Sequence, residues 1–149
     1  MKLEVKLPKT YYSYANLEVE KQDKDDKQRM AVSLSAYQAC VLDRYCYNNN
    51  AMTFQEVFKS IIVDKGIVTA EEINLRNTIR KKFDFLRDGK FDCSKYENIK
   101  TYKQYLLYMS SYAKTKIIQY LIKHEMDLTW FLKKELVKKG ILTVEDLSK

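Results

Sequence analysis

Two stretches of this chain, residues 65–73 (KGIVTAEEI) and 139–147 (KGILTVEDL), are nearly the same corner written twice, 74 residues apart, and they use two of its three glycines. Each reads as the end of one helix and the start of another segment. A glycine just past the last apolar position is the cheapest residue for the left-handed C′ conformation that closes a helix. Gly66 and Gly140 fit that position, with Ile67 packing back on Ile62 and Ile141 on Leu136. Thr69 and Thr143 then act as caps. Glu72 and Asp146, three residues on, complete a capping box, and the pairs Val68 with Ile73 and Leu142 with Leu147 form hydrophobic staples. Capping accounts for every residue of the corner, leaving none for chemistry. The recurrence also aligns Met52 with Met126 and Lys59 with Lys133. It admits an internal duplication or one common connection arrived at twice, and the frequency of such short connections favours the second.

Other helix starts carry the same signature: Ser35 with Gln38, Thr53 with Glu56, Ser94 with Glu97 and Thr101 with Gln104. Apolar spacing at helical period then predicts helices over 35–47, 54–65, 70–87, 102–124 and 128–139, with a last turn from 144. At the N-terminus Leu3, Val5 and Leu7 alternate with Lys2, Glu4 and Lys6 until Pro8, and Leu17 and Val19 repeat the alternation, which predicts a small β-ribbon. The expected fold is therefore mainly α: a single helical domain of about five to six helices with a short N-terminal β-ribbon. Residues 1–29 form an extension ending in the charged linker KQDKDDKQR, and residues 30–149 form the helical domain.

The net charge of +7 is not spread evenly: residues 74–124 carry 12 basic and 4 acidic side chains. Localised positive charge suits an anionic partner such as nucleic acid. On a helix over 70–87, Ile73, Ile79, Phe83 and Leu86 make a buried stripe, and Arg76, Arg80 and Arg87 fall within about 40° of one another on its flank. Asp88-Gly89 between two short apolar runs then signals a small β-hairpin at 83–93. The expected nucleic-acid contacts are Arg76, Arg80, Lys81, Lys82, Arg87 and Lys90.

Over residues 53–93 this order of helix, turn, helix and basic hairpin loosely resembles a winged-helix DNA-binding domain. Thr78, Arg80, Phe83, Leu86 and Gly89 of TIRKKFDFLRDGKF stand where a recognition helix runs into its wing. The resemblance implies a helix in the major groove and a wing on the phosphates. In this chain Thr78 lies 12 positions past Gly66, more than the compact turn of that family.

Catalysis finds little support. His124 is the sole histidine, on the apolar stripe of a 102–124 helix, and neither a Gly-rich phosphate loop nor a nucleophile paired with a base is legible. Cys40, Cys46 and Cys93 have no paired spacing, so no zinc site or disulfide framework is implied, and they read as core thiols. No cofactor or metal is expected. No apolar run approaches the roughly 20 residues of a membrane span, and the expected location is cytoplasmic, or the host cytoplasm or virion if a phage encodes it. That proviso comes from the many Lys, Asn, Ile and Tyr residues, whose codons are AT-rich. The expected function is a non-enzymatic nucleic-acid-binding protein. The alternative is a protein–protein module of phage or mobile-element type, a virion assembly component or host-factor inhibitor. It would meet a partner or a second copy through the Tyr-rich 102–124 helix, apolar on both faces.

Overall fold

The computed structural model describes residues 7–19 and 27–149. Most of the alternating run at 3–7 and of the charged linker lies outside them. The run QRMAVSLS alternates, with Met30, Val32 and Leu34 buried and Arg29, Ala31 and Ser33 turned away, and it forms strand β1 (Gln28–Ser35). Ser35 ends the strand and caps helix α1 (Ala36–Asn48): its hydroxyl accepts the Gln38 N–H at 3.2 Å, and the Gln38 amide oxygen accepts the Ser35 N–H at 3.0 Å. Helix α2 (Phe54–Asp64) follows, capped by the Thr53 hydroxyl on the Glu56 N–H, and buries Val57, Phe58, Ile61 and Ile62.

The same order then recurs. Strand β2 (Tyr102–Met109) buries Tyr105, Leu107 and Met109. Ser110 caps helix α3 (Ser111–Lys123), and Asp127 caps helix α4 (Leu128–Lys138). A shift of 75 carries the Ser35 cap and α1 onto the Ser110 cap and α3. A shift of 74 carries α2 and Gly66 onto α4 and Gly140. The difference of one residue falls in the link between the two helices of each unit. A corner arrived at twice would not also repeat a strand, two helices and their caps, so residues 28–64 and 102–138 form two β-α-α units.

The units close on each other through their strands. β1 and β2 pair antiparallel, with Arg29 opposite Tyr108, Ala31 opposite Leu106 and Ser33 opposite Gln104. Under the 75-residue shift Ala31 and Leu106 are equivalent, so the ladder is centred on a pseudo-two-fold axis through that pair. One strand alone leaves a row of unpaired backbone groups, which the other unit supplies. The inner face of this ribbon joins a core that includes Leu42, Phe58, Ile62, Ile117, Leu121, Leu132 and Leu136. Tyr11 from the N-terminal 3-10 turn (Lys9–Tyr14) belongs to it too. The C-terminal ends of α2 and α4 meet, where Lys65 pairs with Glu135 at 2.9 Å and Lys139 with Asp64 at 3.0 Å.

The expectation of a mainly helical domain with an N-terminal ribbon is thereby corrected: the structure is a mixture of helices and a two-stranded antiparallel sheet. The helix expected over 102–124 is a strand as far as Met109. Tyr102, Leu106 and Met109 do fall at helical spacing, but Tyr105, Leu107 and Met109 obey the period of two, and pairing with β1 decides between them. The helix expected over 70–87 is also absent. The Thr69 box forms, Thr69 N–H to Glu72 Oε1 at 2.8 Å and Glu72 N–H to the Thr69 hydroxyl at 3.2 Å, but only one turn follows. Asn74 takes φ +57 and the Leu75 N–H reaches back to the Ala70 carbonyl, closing that turn. Leu17 and Val19 belong to no strand.

Candidate nucleic-acid interface

Between the two units, residues 66–101 run over α1 and back to the ribbon, and the six sequence-expected contacts lie here. Arg80 is not free for an external anion. Its guanidinium donates to the buried Asp43 carboxylate of α1 at 2.5 Å, stacks 4.7 Å from the Phe83 ring centroid, and lies 3.6 Å from Asp84. Asp43 also accepts the Phe85 N–H at 3.0 Å. The Arg80 N–H bonds the Ala51 carbonyl, and Ile79 pairs with Met52 as an isolated bridge, so this stretch is pinned extended. Ile79, expected on a buried stripe, is 77% exposed. Without that helix the guanidinium ridge does not exist, and the winged-helix layout fails with it. Asp88-Gly89, at φ +50 and +74, closes a single bridge between Arg87 and Lys90 in place of a hairpin across 83–93.

The remaining expected contacts separate. Arg76 is exposed and its Nε donates to Asn74 Oδ1, while Arg87 donates to the Leu86 carbonyl. Lys81, Lys82 and Lys90 are exposed and hold no ion pair among the described residues. Lys81 and Lys82 sit between Arg80, anchored to α1, and Asp84, which pairs with Lys103 of β2. They therefore stand beside one end of the ribbon.

The ribbon itself carries the residues that sequence reasoning missed. Helices back its inner face. Its outer face presents Arg29, Ala31 and Ser33 from β1, and Tyr102, Gln104, Leu106 and Tyr108 from β2. Side chains of one parity share a face, so six of these form three rows across the axis: Arg29 with Tyr108, Ala31 with Leu106, Ser33 with Gln104. Each row mixes a residue of one unit with one of the other. The signal was in the alternation of RMAVSLS and QYLLYM, hidden by a charged run on one side and by a helical stripe on the other.

The second helix of each unit begins at the side of this ribbon. Ser33 donates its N–H to the Thr129 hydroxyl in the first turn of α4, at 3.2 Å, and Phe54 and Phe58 hold α2 on the Tyr105 ring at 4.7 and 5.8 Å. The α4 end is occupied: the Asp127 carboxylate accepts the Trp130 N–H at 2.7 Å, and the Tyr11 hydroxyl accepts the Leu128 N–H at 3.2 Å. The α2 end opens instead on a cavity of about 270 Å³ lined by Thr53, Gln55, Glu56, Lys59, Asn74 and Arg76, among others.

Elsewhere a larger cavity of about 690 Å³ lies between residues 15–19 and α3, against Tyr112, Thr115 and Gln119. Among the described residues no group of three or more His, Cys, Asp or Glu could hold a metal ion. Nor is any helix among them long and apolar enough to cross a membrane. His124 stands just past α3, its ring 4.2 Å from that of Tyr120. Burial pushes the Cys46 thiol up to about 12, far from a reactive thiolate. Comparison with family models, with curated proteins and with solved structures returned no match.

Proposed function

We propose that this chain is a non-enzymatic nucleic-acid-binding protein that reads duplex DNA with its two-stranded ribbon. One observation supports the reading: the ribbon has one packed face and, among the described residues, one largely exposed face, with a pseudo-two-fold axis at its centre. A major groove about 12 Å wide admits a two-stranded β-ribbon, and several DNA readers use strands in this way. A ribbon centred on a two-fold axis also matches the dyad of a duplex. Arg29, Ser33 and Gln104 supply donors and acceptors suited to base edges, while Ala31 and Leu106 offer apolar contact to a thymine methyl. Lys81, Lys82 and Lys90 remain available for phosphates. Arg80 acts in the fold and leaves the contact set.

Anisotropy titration of labelled duplexes against the whole chain tests this. Binding should weaken steeply as salt rises, and Arg29→Ala with Gln104→Ala should weaken it while melting stays unchanged. Absence of duplex binding at low salt, or indifference to the ribbon substitutions, overturns the reading. The second reading, a protein–protein module, draws on the same face, where Tyr102 is 73% and Tyr108 46% exposed. Exposed tyrosines suit a protein interface. It predicts a defined homo-oligomer or a co-purifying protein lost on Tyr102→Ala with Tyr108→Ala.

A further inference from the structure

Lys59 is an anomaly of burial. It lies in α2, only 5% exposed, yet makes no hydrogen bond or ion pair among the described residues. A lysine this enclosed without a partner is rare, although its ammonium is not itself among the fully enclosed unpartnered polar atoms. This one lines the cavity at the start of its own helix. The same cavity is lined by residues 53–56, the first turn of α2, where N–H groups have no carbonyl partner within the helix and the helix dipole is positive. The Thr53 hydroxyl accepts from the Glu56 N–H and lies 3.3 Å from the Thr78 hydroxyl. Arg76 stands on the other wall, near enough to raise the cost of charge on Lys59, whose ammonium is depressed first by burial and then by that guanidinium. Glu56 is the acid of the cavity, so two cations and a helix terminus face one carboxylate.

We propose that this cavity is an anion site that takes a phosphate group, with Lys59 at its floor, Arg76 at its wall and the first turn of α2 as its backbone donors. An anion there supplies the charge that Lys59 and Arg76 otherwise lack. The other unit acts as an internal control. At the matching place on α4 the cap is Asp127 instead of Thr53, the Tyr11 hydroxyl covers the Leu128 N–H, and Lys133 already has Asp127 as a favourable neighbour. That end carries a carboxylate at the cap itself, whereas the α2 end carries a hydroxyl there and its one carboxylate, Glu56, three residues on. Resting on the reading of the ribbon as a DNA reader, the phosphate belongs to the duplex backbone beside β2, which makes the grip on the two sides of the groove unequal.

The experiment uses the whole chain and two ligands. Inorganic phosphate is titrated at fixed ionic strength, following backbone amides by NMR and the melting temperature. The expected result is saturable shifts at residues 53–56 and a rise in melting temperature. Both should vanish in Thr53→Asp, which keeps a good N-cap but places a carboxylate in the site, and in Lys59→Met. Shifts spread over the surface lysines, or shifts that persist in both variants, overturn the site. Duplex DNA is then bound to the wild type and to Thr53→Asp. A uniform loss of affinity in the variant, with the salt slope reduced by about one, assigns the site to a backbone phosphate. Phosphate binding lost in the variant with duplex binding unchanged overturns that assignment in favour of a free phosphate. Loss of duplex binding in the Arg29 and Gln104 variant alone bears on the ribbon and not on the cavity.

Discussion

Arg80 illustrates how a residue's chemistry depends on what buries beside it. Read along the chain it is one cation of a basic run; in the fold it neutralises Asp43, which is 1% exposed. Removing one partner of a buried pair leaves an uncompensated charge, so Arg80→Ala should cost about 3 kcal/mol in urea unfolding. The neighbouring Lys81→Ala and Lys82→Ala should change stability little and, on the proposed reading, weaken salt-dependent DNA binding more. Glu135 makes a pH-dependent counterpart. Burial would raise its carboxyl, but the bonds from Lys65 at 2.9 Å and Lys138 at 3.3 Å outweigh it and hold the group below its ordinary value. A depressed folded value binds fewer protons than the unfolded chain does. Its stabilisation is therefore complete above the unfolded value of about 4.3 and lost as pH falls through the folded one. Acid titration of Glu135→Gln, followed by melting temperature, should show a shallower fall over that limb than wild type.

At the scale of elements, the corners were legible because capping is local. Gly66 and Gly140 take φ +74 and +76, and in the second corner the Ile141 N–H reaches the Leu136 carbonyl at 2.9 Å, the Schellman bond expected there. A Cβ at Gly140 would meet nothing within 4 Å, so Gly140→Ala should lose only the backbone term, about 1 kcal/mol by chemical denaturation. The ends of α2 and α4 were found for the same reason. The ribbon was not, since a strand's partner lies far along the chain and the period-two signal of 28–35 merged with a polar run. Residues 70–87 failed in the opposite direction: the start signal at Thr69 was genuine, but Asp43 and Ala51 hold Arg80 extended, and those tertiary bonds outweigh propensity. Of the candidate interface, the free lysines were visible as charge. The outer face of the ribbon needed the pairing to be seen.

For the whole molecule, neither unit has a complete sheet of its own. Fragments 1–96 and 97–149 should each give the circular dichroism of a largely unfolded chain and regain helix when mixed, whereas a fragment that folds alone would contradict the shared core. Pairing β1 with β2 joins residues far apart in sequence, and such contacts fold slowly, so refolding should take milliseconds to seconds. On the proposed DNA reading, the covalent link through residues 66–101 also governs how binding responds to dose. Two separate β-α-α chains would have to find each other first, and their occupancy of a target would rise with the square of concentration when dilute. Joined in one chain they meet at the effective concentration of a tether. Occupancy should then follow a simple hyperbola, with a Hill coefficient near one down to the lowest measurable protein concentration. Since Arg29, Ala31 and Ser33 need not match Gln104, Leu106 and Tyr108, each half of the proposed reader would be free to prefer a different half-site. On that reading the molecule would act as a heterodimer with a fixed one-to-one composition.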